Sequence, residues 1–83
     1  MRVTLKMYAS LAQYLPEDAS ANAIHLDVPE KTTPHQLIDV HGVPRDEAHL
    51  VLKNGIYVEP GDRDRACLED GDVLALWPPV AGG

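Results

Sequence analysis

The sequence predicts an α+β domain, a mixed sheet packed against one main helix, and three observations predict it. Met1 to Met7 alternates apolar and polar residues strictly. Thr33 opens a capped helical segment that Pro44 closes. Asn54-Gly55 stands between two apolar runs as a hairpin turn. Strands interleaved with a single crossing helix and one hairpin give a helix lying over one sheet face.

Each element has its own warrant. Met1, Val3, Leu5 and Met7 share one side of the opening segment, the two-residue period of a strand with one buried face. Ala9 to Leu15 places Leu11, Tyr14 and Leu15 at helical spacing, and Pro16 stops it after one or two turns, with Leu11 and Tyr14 expected in the core. Glu17 to Asn22 reads as a surface loop, after which Ile24, Leu26 and Val28 alternate with His25 and Asp27 as a second strand. From Thr33, Pro34 suits the first helical position, and Gln36 completes a capping box. Leu37, Ile38 and Val40 supply the apolar side, and Gly42 fits the left-handed position just past the end. So short a helix is unstable alone and must be held by the sheet.

Ala48 to Lys53 and Ile56 to Val58 read as strands joined at Asn54-Gly55, because a type I′ turn needs positive φ at both central residues. Leu68 is expected to anchor the following loop in the core. Asp70-Gly71-Asp72 turns the chain into a last strand, Val73 to Trp77, which Pro78 and Pro79 end. Residues 1–77 thus form the domain and 78–83 a tail.

Composition excludes several functions. Eighty-three residues make one small domain. Seven Lys and Arg against thirteen Asp and Glu give a formal charge of −6, the wrong sign for nucleic acid or an anionic membrane and the right one for a basic partner surface. With a single cysteine, Cys67, no internal disulfide forms. No apolar run reaches the length of a membrane span, and the start lacks a signal-peptide apolar region, so a cytoplasmic location is expected. His25, His35, His41 and His49 show no metal-pair spacing, and no metal or resident cofactor is expected. Cys67 precedes Glu69 and Asp70, which work against a reactive thiolate, so it is expected to be a small packed residue beneath a loop. Asp62-Arg63-Asp64-Arg65 reads as a solvated loop surface, and Gly61 and Gly71 belong to turns rather than to a phosphate loop.

The ending carries the chemistry. Pro78-Pro79-Val80-Ala81-Gly82-Gly83 has a stiff start, two apolar residues and a glycine pair that contributes nothing to packing. A terminal pair of glycines arises by chance in roughly one chain in 200. Six extended residues reach roughly 20 Å, and side-chain-free glycines fit a narrow channel. The reactive group is then the Gly83 carboxylate. Adenylation by ATP makes its oxygen a leaving group, and a sulfur donor converts the acyl-adenylate to a thiocarboxylate. No segment of this chain has the features of an ATP site, so another protein supplies that step. Leu76 and Trp77 stand just before the tail, and alternation turns one of them outward; an outward Trp77 is a natural partner anchor, the alternative being a Trp77 packed on the sheet edge.

With its opening strand, mid-chain helix, Asn54-Gly55, Leu68 before Asp70-Gly71-Asp72, and Gly82-Gly83, the chain resembles the MoaD/ThiS ubiquitin-like sulfur carriers. The resemblance runs along the whole chain and implies the β-grasp fold. The ending looks most like that of the small subunit of molybdopterin synthase, with Trp77 where many such carriers have Phe. It implies a non-catalytic carrier whose Gly83 is adenylated by an E1-like adenylyltransferase that binds the ATP. The tail, Pro78 to Gly82, would thread into the large synthase subunit, with Leu76 and Trp77 at the interface. Other readings stay open: a carrier for thiamin thiazole or another pathway, a ubiquitin-like protein modifier, or a binding module without tail chemistry.

Overall fold

The computed structural model describes residues 1–79. Five strands, β1 (Arg2–Met7), β2 (Ala23–Asp27), β3 (Leu50–Lys53), β4 (Ile56–Tyr57) and β5 (Val73–Trp77), form one sheet in the order β2-β1-β5-β3-β4. The first and last strands lie side by side in its centre and run parallel, Leu5 beside Leu74 and Met7 beside Leu76; every other pairing is antiparallel. One helix, α1 (Pro34–Val40), covers one face, and 3-10 turns occupy Ala9–Tyr14 and Pro60–Asp62.

The alternation in β1 does what its period requires. Val3, Leu5 and Met7 are buried against Ile24, Val51, Leu74 and Leu76 from the neighbouring strands and Leu37 and Ile38 from α1. Leu11 and Leu68 join the same core, and Tyr14 packs against it half-buried. At the start of α1 the Gln36 N–H donates to Thr33 Oγ1 at 3.2 Å and the Thr33 N–H donates to Gln36 Oε1 at 2.9 Å, the reciprocal capping box. At its end Gly42 (φ +75°) donates to Asp39 O, and Val43 donates to Ile38 O, a Schellman closure that also buries Val43.

Asn54 (φ +52°) and Gly55 (φ +82°) form the β3–β4 turn. The Asn54 side chain does a second job: its Nδ2 donates to Asp72 Oδ1 and its Oδ1 accepts from the Val73 N–H, both at 2.9 Å. The hairpin tip is thereby pinned to the turn that launches β5.

Two loop expectations are corrected. Arg63 is no solvated surface residue: it is 4% exposed, and its guanidinium donates to the carbonyls of Val58, Ala48 and His49 at 3.0–3.2 Å. It also lies 5.7 Å from the Tyr57 ring centroid. Charge alternation could not reveal this, because the three carbonyls come from segments on either side of a hairpin. Cys67, expected beneath the loop, is exposed. Its neighbour Leu68 takes the inward place, 2% exposed, and is held there by its N–H donating to Thr32 O at 2.7 Å.

Around α1, Arg45 holds Asp39 through two hydrogen bonds, of 2.8 and 3.1 Å. Those bonds keep the Asp39 carboxyl below its ordinary range, against a smaller opposing push from desolvation. Nearby, His35 Nδ1 lies 2.9 Å from Asp64 Oδ1, within ion-pair range but out of line for a hydrogen bond. Among the described residues no helix is long and apolar enough to cross a membrane.

Candidate functional site

The site is the end of the central strand, where the chain leaves the domain. Leu76 and Trp77 are consecutive in β5 and therefore face opposite sides of the sheet. Leu76 is 0% exposed and belongs to the core, so its side chain offers nothing to a partner; the expected pair of anchors reduces to Trp77. Trp77 is half-buried on the outer face, its ring stacked on Tyr8 with centroids 4.6 Å apart and planes 11° from parallel. The backbone locks both partners: the Tyr8 N–H donates to Leu76 O, and the His49 N–H donates to Trp77 O.

Beyond the stacked rings lies an open cavity of about 340 Å³, lined by Ala9, His49, Leu50, Trp77, Pro78 and Pro79. Its walls are almost wholly apolar. Ala9 turns away from Tyr8 in the left-handed region (φ +52°), and Leu50 pairs directly with Trp77 across β3–β5. Leu52, Ala75 and Tyr57 continue the apolar stripe along the same outer face, as their register requires. Arg63 supports this wall from below, because two of the carbonyls it holds, those of Ala48 and His49, lie where the chain enters β3.

Pro78 is half-buried and Pro79 exposed at the exit. The remaining expected tail residues, Val80, Ala81, Gly82 and Gly83, lie outside the described residues. Tyr8, Ala9, His49 and Leu50 are the members of the site that sequence reasoning missed. Tyr8 stands one place beyond the β1 alternation, and only the parallel register, Met7 beside Leu76, carries it to Trp77. No group of three or more His, Cys, Asp or Glu residues among the described ones is placed to hold a metal ion.

A mixed five-stranded sheet with parallel central strands and one covering helix is the β-grasp, the ubiquitin-like fold. The chain belongs to the Mut7-C ubiquitin family, which it matches over residues 1–81. Among solved structures it is similar to small archaeal modifier protein 1 of Haloferax volcanii, with 27% identity, full coverage of both chains and a TM-score of 0.65. A second Haloferax volcanii protein, solved in solution, has 24% identity and a TM-score of 0.74, over 100% of this chain and 87% of that one. One chain of the complex of subunits 1 and 2 of the molybdopterin-converting factor from Helicobacter pylori matches at 17% identity and a TM-score of 0.58, over 100% of this chain and 100% of that one. At those lower identities the likeness is one of fold. None of the curated proteins matches the chain.

Proposed function

We propose that this chain is a sulfur carrier that works through the Gly83 carboxylate. The observation that supports the reading most is the Gly82-Gly83 ending placed six residues after the central strand of a β-grasp domain. An E1-like adenylyltransferase binds ATP, and the Gly83 carboxylate attacks the α-phosphorus, releasing pyrophosphate and leaving an acyl-adenylate. A sulfur at the hydrosulfide level, delivered by a donor, then attacks the acyl carbon, the bond to the AMP oxygen breaks, and a thiocarboxylate remains as AMP leaves. The tail delivers that group into the large subunit of a molybdopterin synthase, where sulfur passes to the pterin precursor. The catalysts are the partners; this chain supplies the arm and its apolar root at Trp77. The Helicobacter pylori complex of two molybdopterin-converting factor subunits supports a protein partner of this kind.

A second reading is favoured by the likeness to small archaeal modifier protein 1: the same activated Gly83 joined to a lysine amine of a target protein. Intact mass after incubation with ATP, a sulfur donor and the E1-like enzyme tests the carrier. The expected product has one oxygen replaced by sulfur, and deleting Gly83 abolishes it while the fold persists. Retained sulfur transfer in the truncated protein overturns the tail mechanism, and conjugates of higher mass in place of a thiocarboxylate support the modifier.

A further inference from the structure

Asn54 carries a chemistry that the hairpin does not need. Asparagine is a thermolabile residue, because the nitrogen of the following peptide bond can attack its side-chain carbonyl carbon. A glycine in the following place favours that attack, since it has no Cβ to shield the nitrogen and its backbone turns freely. The asparagines of this chain, Asn22 and Asn54, differ in this respect. After Asn22 comes Ala23, whose Cβ crowds its nitrogen and whose N–H is already donated to Ser20 O at 3.0 Å. After Asn54 comes Gly55, exposed at the hairpin tip, and nothing beyond its chain neighbours lies within 4 Å of where a Cβ would stand. That nitrogen is open to water and to base.

The carbon it would attack is held elsewhere. Asn54 Nδ2 donates to Asp72 Oδ1, and Asn54 Oδ1 accepts from the Val73 N–H, both at 2.9 Å. The Asn54 N–H itself donates to Val73 O at 2.8 Å. Closing a five-membered ring with Gly55 turns the side chain out of both of its bonds and rotates the Asn54 backbone (φ +52°) out of the left-handed turn. The folded tip therefore keeps a reactive pair apart.

We propose that Asn54-Gly55 is a self-modifying site: when the tip opens, Asn54 deamidates through a succinimide, and the isoaspartate it forms cannot restore the pin to β5. Base takes the Gly55 amide proton, and the nitrogen bonds to Asn54 Cγ. The Cγ–Nδ2 bond breaks, and ammonia leaves with a proton from solvent. Water then adds to one carbonyl of the ring, and the ring C–N bond at that carbonyl breaks. Opening at Cγ gives aspartate; opening at the backbone carbonyl gives isoaspartate, whose main chain runs through the former side chain. One water enters and one ammonia leaves, with no change of oxidation state. Isoaspartate puts an extra carbon into the main chain of a two-residue turn and takes away the side-chain amide that held Asp72 and Val73. The conversion is a one-way record of opening at the start of β5, and it stands whether or not Gly83 carries sulfur.

The test incubates the full chain in warm, mildly alkaline buffer, folded in one series and unfolded by urea in another, with intact mass and peptide mapping over time. Expected is replacement of NH₂ by OH at Asn54 and not at Asn22, at least about tenfold slower in the folded chain. In urea, where the turn no longer matters, Gly55→Ala should slow the conversion about tenfold by shielding the nitrogen. The isoaspartate form, purified and refolded, should exchange the Val73 amide faster than the parent and unfold at lower urea. Equal rates in the folded and unfolded chains overturn the proposal. So does conversion at Asn22 in place of Asn54, an unslowed Gly55 variant in urea, or a refolded isoaspartate form with the parent's Val73 exchange.

Discussion

At the scale of single residues, Arg63 decides the most. A guanidinium has five donors in a fixed planar fork, and here three carbonyls that no strand ladder satisfies converge on it. Burying a cation without a carboxylate is costly, yet leaving the buried carbonyls of Ala48 and Val58 and the partly buried one of His49 unpaired costs more once the loop has closed over them. Arg63→Met keeps the apolar stem and removes every donor, so it should cost about 2–4 kcal/mol. Arg63→Lys should recover only part of that, because one ammonium cannot reach the same acceptors with the same geometry. Urea unfolding at constant slope measures both variants; a Met variant within about 0.5 kcal/mol of the parent would mean that water replaces the guanidinium. The same reasoning explains why Arg63 was invisible in the sequence. Its partners are backbone atoms, which carry no residue identity, and the charge pattern around it is that of any solvated loop.

At the scale of elements, local signals were legible and non-local ones were not. The capping box at Thr33, the left-handed Gly42 and the Asn54-Gly55 turn each depend on residues within a few positions of one another, so the sequence states them almost completely. The direction in which β5 faces depends on its neighbours: alternation allowed either Leu76 or Trp77 to point out, and only pairing to β1 and β3 chooses. The Tyr8–Trp77 stack and the exposure of Cys67 belong to the same class. Asn54 straddles it, since its positive φ is local and its side-chain bonds to Asp72 and Val73 are long-range. Asn54→Ala therefore loses more than a turn preference, and about 1–2 kcal/mol is expected. Asn54→Asp should not rescue it, because a carboxylate cannot donate to Asp72 and places a second negative charge beside it. Amide exchange at Val73, faster in the Ala variant than in the parent, checks that the lock and not merely the turn has been lost.

At the scale of the whole molecule, the parallel pairing of the first strand with the last makes the domain all-or-none. Without β5 the sheet falls into two separate hairpins, β1–β2 and β3–β4, and Leu74 and Leu76 leave a void in the centre of the core. Two fully buried leucines are worth about 3–6 kcal/mol of transfer free energy, a large share of what so small a domain has. A chain ending at Asp72 should therefore show no cooperative urea transition and no dispersed amide spectrum, whereas the full chain shows both. The long loop closed between β1 and β5 also places its folding among the slower two-state domains, milliseconds to seconds, since that closure entropy must be met before the central contacts form. A cooperative transition in the shortened chain would show instead that the β1–β2 and α1 portion is stable by itself and that β5 docks afterwards. The distinction bears on the proposed carrier role. Residues 78–83 continue directly from β5, so if the domain is all-or-none, a partner that takes both the tail and its root meets only molecules whose sheet has closed and whose Trp77 is already stacked on Tyr8.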